Sequence, residues 1–322
     1  MTMEPRQTAT KLGAGALRIL EALGAGHVPP RALFSGAELS TELEVSRTQI
    51  WKHVEQLRAR GYQIEGAAGG GYQLKELPDR LYPELIRAGL QTQTLGQHIE
   101  HFECADSTNR IASELARKGA AHGTVVVAEE QTSGRGRLGR SFYSPAHQNL
   151  YLSAVLRPNI TAEAAPLLVL STAIAVAELI ASEVDDGTSD GDEVSIRWPN
   201  DVLLRGKQTS GILLEMHAEG ARVDSLVLGI GINLNVDPQE FPEEFRSTAT
   251  SLSASTGRPI DRIQFTQRLL IRLEEVLDQH LERGFEALRP RFERRFHMQG
   301  KAVNIDEVDG QRYSGTVLGI DG

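Results

Sequence analysis

A chain of 322 residues is too long for one ordinary compact domain and predicts two, with room for a small third. Its single cysteine, Cys104, excludes an internal disulfide, and neither a signal-peptide core nor a run of about 20 apolar residues is expected, so the sequence predicts a soluble cytoplasmic protein with no membrane partner. The net charge of −9 argues against nucleic-acid binding by the whole molecule, but residues 1–75 carry nine Lys and Arg against seven acids, a net +2 that leaves −11 elsewhere.

Apolar residues from Leu12 to Leu23 recur at helical spacing and stop at Gly24 and Gly26, which predicts a first helix. Two capping boxes follow, Ser35 with Glu38 and Ser46 with Gln49. They open a short helix and then a longer one, RTQIWKHVEQLRARG, with Ile50, Val54 and Leu57 on its inner face and Gly61 at its end. From Tyr62 the period changes to two: Tyr62 and Ile64, then Tyr72 and Leu74, flank a glycine-rich tip from Gly66 to Gly71, a β-hairpin wing. Residues 1–80 therefore predict a winged helix-turn-helix whose second helix enters the major groove and offers Arg47, Thr48, Gln49 and Lys52 to bases and phosphates. The same fold also serves as a protein-interaction module, and that alternative stays open. Trp51, beside the apolar face, is assigned to packing. Two prolines and mixed charge in QLKELPDRLYPEL place the domain boundary near residue 80, with a linker helix after it.

Residues 81–296 mix strand-like runs (Thr124 to Ala128, Asn149 to Leu156, Gly211 to Met216, Leu226 to Asn235) with amphipathic helices, an α+β body with a mixed sheet. EVDDGTSDGDE, 183–193, reads as a solvated loop. Ser107-Thr108-Asn109 opens a helix running to Lys118; an N-cap accounts for the pattern, and the same hydroxyls and free amides also suit a small polar ligand. In Gly134-Arg135-Gly136-Arg137-Leu138-Gly139-Arg140, glycines let the backbone approach a ligand while arginines supply permanent donors for carboxylate and phosphate. A flexible basic nucleic-acid segment has the same composition, but this one lies between strands. Arg197-Trp198-Pro199-Asn200-Asp201 ends a strand in a turn where Asp201 suits Mg²⁺ or a ribose hydroxyl, or forms an Asx turn. Glycines in Gly229-Ile230-Gly231-Ile232-Asn233 suggest close approach of a ligand to a strand. From Gly300 alternating residues and a DG turn begin a small β unit that stops before a barrel closes, so 297–322 is expected to be a truncated C-terminal domain.

In this order STN, EEQTSGRGRLGR, NLYLS, RWPND, SGILLE and GIGIN resemble the biotin protein ligases, over nearly the whole chain. The head resembles that of the bifunctional group, which also represses the biotin operon. The resemblance implies a C-terminal SH3-like unit and a two-step reaction: biotin and ATP give biotinyl-adenylate, and a lysine of a biotin carboxyl carrier protein then takes the biotinyl group. It also implies operator DNA as a partner and a ligand-dependent homodimer. It assigns Ser107, Thr108, Asn109 and Gln131 to biotin, and Gly134, Arg135, Gly136 and Arg137 to a loop folding over the adenylate, with Arg135 and Arg137 neutralising carboxylate and phosphate. Asn200, Asp201 and Asn233 would face nucleotide and Mg²⁺, with Phe142 where the family often has tryptophan. One departure matters: the family usually has lysine three residues before the glycine of GIL, where Gln208 stands here and Lys207 lies one residue back. Either Lys207 reaches the site from the turn, which is the expectation adopted, or the lysine's role is missing. The latter leaves a biotin-sensing repressor with weak turnover as the alternative, and a ligase for another acid such as lipoate as a second.

Overall fold

Serine hydroxyls start both central helices of the head. The computed structural model describes residues 6–7, 12–24, 34–67, 71–185, 193–219, 222–306 and 310–320. A two-residue strand, β1 (Arg6–Gln7), is followed by α1 (Ala14–Ala22), β2 (Phe34–Ser35), α2 (Gly36–Leu43) and α3 (Arg47–Ala59). Both capping boxes form: Ser35 Oγ accepts the Glu38 N–H at 3.0 Å and the Ser35 N–H donates to Glu38 Oε2 at 2.7 Å. Ser46 and Gln49 repeat the exchange at 3.2 and 3.0 Å. Ile50, Val54 and Leu57 are buried against Ile19, Leu20 and Leu39, so the predicted inner stripe is the core of the head. The wing is β3 (Gln63–Ala67) paired with β4 (Gly71–Glu76), with β2 on the far edge of β4; residues 68–70 of the predicted tip lie outside the described residues. Trp51 does not pack: it is 54% exposed. Residues 47, 48, 51 and 52 share one face of the helix, and that face points to solvent.

The linker helix is α4 (Pro83–Ala88). It is fastened to the head by Glu84, which accepts from Arg60 at 2.8 Å and from the Tyr62 hydroxyl at 3.0 Å. Tyr82 and Leu85 enter the head's own apolar cluster.

The body follows as β5 (Ile99–Cys104), α5 (Thr108–Arg117), β6 (Val125–Ala128), β7 (Leu150–Leu156), α6 (Leu167–Val184), β8 (Val194–Arg197), β9 (Asp201–Leu204), β10 (Lys207–Glu219) and β11 (Arg222–Ile232). After β11 come α7 (Glu243–Arg246), α8 (Leu252–Thr256), α9 (Arg262–Arg283) and α10 (Arg289–Glu293). The strands form one mixed sheet in the order β1-β5-β6-β7-β11-β10-β9-β8, with β5 and β6 its parallel pair. One face is covered by α6 and α9 and carries the main core; the other takes Ile111, Ala112 and Ala116 of α5 against Val126, Ala128, Val155 and Val227. Contrary to the expectation of no long apolar run, α6 is 18 residues long with a mean hydropathy of 1.9, enough by length and composition to cross a membrane. In this fold 67% of it is buried, because it is wedged between the sheet and α9 and is therefore apolar almost all round. Most of the acidic stretch falls at 186–192, outside the described residues. At the C-terminal end β12 (Ala302–Asp306) and β13 (Arg312–Thr316) form an antiparallel hairpin rather than a barrel.

Candidate active site

Three glycines make a bare floor on β10 and β11. A Cβ on Gly231 would lie 2.7 Å from the Phe142 ring, one on Gly211 3.5 Å from it, and one on Gly229 would overlap the Asn109 amide. Glycine is required at 229 and 231 so that Asn109 and Phe142 can lie directly on the strands, whereas a Cβ at 211 would make only ordinary contact. Above this floor opens a pocket of about 1000 Å³, large enough for a drug-sized ligand and more.

One end of the pocket is built at the start of α5. The simple N-cap reading fails, because Ser107 makes no side-chain cap. Instead Gln131 Oε1 accepts the Thr108 N–H at 2.8 Å and the Thr108 hydroxyl at 3.1 Å. Ser153 Oγ lies 2.8 Å from Thr108 Oγ1 and 2.6 Å from Asn109 Oδ1, and Asn109 Nδ2 donates to Glu215 at 3.2 Å. Thr108, Asn109 and Ser153, buried, and Gln131 and Glu215, half-buried, are fixed by one another in a connected network at the pocket wall rather than a helix cap.

The arginine loop joins β6 to β7. The Phe142 N–H donates to the Gly134 carbonyl at 2.9 Å and the Gly136 N–H to the Arg140 carbonyl at 2.7 Å, closing a single turn in which Leu138 has φ 56° and Gly139 φ 74°. Gly134 sits at the neck, where a Cβ would come within 2.5 Å of the Phe142 carbonyl. It supports the loop without lining the pocket; Arg135, Gly136, Arg137 and Arg140 line it, and Leu138 at the tip is 90% exposed.

On the opposite side β8 and β9 form a hairpin around Trp198, Pro199 and Asn200. Asp201 makes no Asx turn: Oδ2 accepts from Arg197 Nε and Nη2 at 3.1 and 2.7 Å, and Oδ1 from Gln208 Nε2 at 2.9 Å. Both oxygens are thus engaged by protein donors. No group of three or more His, Cys, Asp or Glu side chains placed to hold a metal exists among the described residues. The metal expectation at Asp201 therefore has no supporting ligand set. Asn200 is held by paired bonds with Ile212, its amide donating to the Ile212 carbonyl at 3.0 Å. Asn233 is buried on the wall, and its Oδ1 has no partner among the described residues, as an acceptor kept for a ligand would.

Of the expected residues, Ser107, Thr108, Asn109, Gln131, Arg135, Gly136, Arg137, Phe142, Asn200, Asp201 and Asn233 converge on this pocket, and Gly134 and Lys207 do not. Lys207 is exposed, and Gln208 takes the wall position. The cause is an irregularity in the β9–β10 pairing between Gln208 and Ser210. In a regular strand Gln208 and Gly211, three residues apart, would face opposite sides; the irregularity turns both into the pocket. Arg140 of the quoted loop lines it too, and sequence reasoning missed Tyr143, Trp198, Phe241 and Phe245. Only the aromatics in otherwise polar loops signalled them.

Residues 101–233 match the biotin/lipoate A/B protein ligase family and residues 31–73 an HTH domain. The chain is 40% identical over 287 residues to the bifunctional ligase/repressor BirA of Bacillus subtilis (strain 168), covering 89% of this chain and 86% of that protein. It is 30% identical over 292 residues to the Escherichia coli (strain K12) protein of the same name, covering 89% and 85%. Its structure is similar to that of the biotin protein ligase from Aquifex aeolicus in complex with biotin and ATP, with TM-score 0.57, 31% identity, and coverage of 70% of this chain and 88% of that one. With such relatives matched from the head through the sheet, the chain belongs to the bifunctional biotin ligase/repressor family.

Proposed function

We propose that the pocket adenylates biotin and passes it to a lysine of a biotin carboxyl carrier protein, while the head binds operator DNA. The observation that carries this reading is the convergence of eleven expected residues on one pocket. Ser107, Thr108, Asn109 and Gln131 take the polar ring system of biotin. Phe142, Asn200, Asp201 and Asn233 take the nucleotide, with Tyr143, Phe241 and Phe245 as added apolar wall. The biotin carboxylate attacks the α-phosphorus of ATP, a P–O bond forms as the bond to pyrophosphate breaks, and pyrophosphate leaves. Arg135, Arg137 and Arg140 line the pocket. They bring two anions together and hold the charge that gathers on phosphorus. In the second step the neutral lysine amine attacks the acyl carbon, AMP departs, and the amine proton is lost to solvent. Magnesium would enter as the counter-ion of ATP and neutralise phosphate charge, while Asp201 is paired with Arg197 and Gln208.

Residues 1–80, 81–296 and 297–322 serve as DNA-binding, catalytic and C-terminal units. Arg47, Thr48 and Lys52 face solvent as DNA contacts; Gln49 keeps its amide nitrogen for a base while its oxygen caps α3. A head of net +2 makes few phosphate contacts, so two heads in a ligand-dependent dimer are needed for tight operator binding. The outer edge of β10 beyond Gly211 has no strand partner among the described residues, a surface able to pair with a second copy. The lone cysteine, Cys104, fits a reducing, cytoplasmic location. Thermal unfolding with ATP plus biotin against ATP plus lipoate tests the ligand: biotin raises the midpoint, and a larger shift with lipoate would overturn the assignment.

A further inference from the structure

Beneath the pocket lies a buried charged pair that none of the roles above uses. Glu129, at the end of β6, is fully buried, and Arg262, the first residue of α9, is 1% exposed. Arg262 Nη1 donates to Glu129 Oε2 at 2.8 Å. The carboxylate also accepts the Leu81 N–H at 2.7 Å and lies 3.1 Å from His101 Nε2 and 3.3 Å from His147 Nδ1. Burial alone would raise the Glu129 carboxyl, but the His101 hydrogen bond, the Arg262 charge and the Leu81 amide outweigh it and hold it down at about 2. The pair is therefore ionised and fully satisfied.

The pair reaches both halves of the pocket. Glu129 stands two residues before Gln131, in a segment pinned by Glu129 N–H to the Phe102 carbonyl (2.9 Å) and Ala105 N–H to the Glu130 carbonyl (3.0 Å). On the other side Arg262 Nη1 reaches the Asn149 carbonyl at 3.4 Å, and Asn149 Oδ1 accepts the N–H of Leu234 at 2.9 Å, the residue after Asn233. Arg262 also grips the linker: Nε donates to Asp79 Oδ1 and Nη2 to the Asp79 carbonyl, each at 2.9 Å. The linker continues through the Tyr82 ring, which packs edge-on against His101 and lies under the Arg60 guanidinium of the head at 3.9 Å. One guanidinium thus touches the supports of Gln131, of Asn233 and of the chain leading to the head.

We propose that Glu129 and Arg262 are positioning residues for adenylation, setting Gln131 and Asn233 in one register and tying that register to the linker at Asp79–Leu81. This rests on the pocket being the biotin and ATP site. The pair touches neither substrate, so its effect passes through residues on both sides at once. Arg262→Met breaks the pair. Arg262→Lys keeps one cation in the place of Nη1, for Glu129 and the Asn149 carbonyl, but loses the Nε and Nη2 donors that hold Asp79.

The test is biotin-dependent ATP–pyrophosphate exchange with the full chain, reading KM for biotin and for ATP separately from kcat. Arg262→Met is expected to raise both KM values together, about tenfold or more, and Arg262→Lys to return them to within about threefold of the parent. A purely structural role would lower the folded, active fraction, which cuts apparent kcat and leaves both KM values unchanged; that result overturns the proposal. Hydrogen exchange tests the linker arm: biotin plus ATP should slow exchange at residues 79–82 about tenfold in the parent and not in Arg262→Lys. Equal slowing in both would overturn that arm. If the parent itself shows no biotin-dependent exchange of pyrophosphate, the reading of the pocket fails, which is a separate result from unchanged KM values in an active enzyme.

Discussion

Lys207→Ala is expected to leave biotin adenylation within about twofold of the parent rate, whereas Gln208→Ala lowers it about tenfold to a hundredfold. Lys207 is exposed and off the pocket wall, and substitutions of that kind change free energies by about 0.5 kcal/mol at most, near a factor of two. Gln208 donates to Asp201 Oδ1 at 2.9 Å inside the pocket. A hydrogen bond to a charged group is worth about 1.5–3 kcal/mol, and each 1.4 kcal/mol is about a factor of ten in rate. Gln208→Lys places an ammonium beside Asp201, which already holds Arg197, so part of the new charge is spent on that carboxylate. The gain should then be about tenfold, below the 10²–10³ typical of a full electrostatic donor aimed at the transition state. The assay is initial-rate pyrophosphate release at saturating biotin and ATP. A tenfold loss in Lys207→Ala with a parental rate in Gln208→Ala would refute the strand-register argument.

Arg135→Ala should slow pyrophosphate release by about 10²–10³-fold, since it removes a donor from the developing charge; a parental rate would remove Arg135 from the site. Gly231→Ala puts a methyl 2.7 Å from the Phe142 ring, so that ring must swing away, and the ATP KM should rise while the thermal midpoint changes little; an unchanged KM counts against Phe142 as nucleotide wall. Arg47→Ala or Lys52→Ala should weaken operator binding and lower the magnitude of the salt slope by about one per residue without altering adenylation, read by titration at several salt concentrations. Glu129 is held from 4.5 down to about 2, so its ionised form stabilises the folded state fully above about pH 4.5, and the contribution disappears as pH falls toward 2. The urea stability gap between parent and Glu129→Gln should be about 3 kcal/mol near neutrality, from about 1.4 kcal/mol per pKa unit, and shrink below pH 4.5; a gap independent of pH would contradict it.

The head was legible because its signals are local. Ser35 with Glu38 and Ser46 with Gln49 satisfy backbone groups three residues apart, and the wing's period of two needs no distant partner. The pocket was legible as separate motifs, since glycine alternating with arginine and the glycines of GIGIN have few explanations other than close approach to an anion or a ring. What sequence could not give was set by contacts far apart in the chain. Ser107 looked like a cap, but Gln131, 24 residues away, takes the amide at Thr108. Lys207 looked able to replace its neighbour until an irregular strand pairing turned Gln208 inward. Trp51 was assigned to packing because it lies beside the apolar face, yet the inner stripe of α3 is filled by Ile50, Val54 and Leu57. Glu129 and Arg262 gave no pattern at all, being 133 residues apart.

The most direct test of the central claim is to mix the purified chain with ATP and biotin, then add a biotin carboxyl carrier protein, and follow pyrophosphate and carrier mass. The account predicts pyrophosphate release that depends on biotin, followed by one biotinyl group on a single carrier lysine. Biotin binding with neither pyrophosphate release nor a mass increase would contradict it, and would leave a biotin-sensing repressor in place of a ligase.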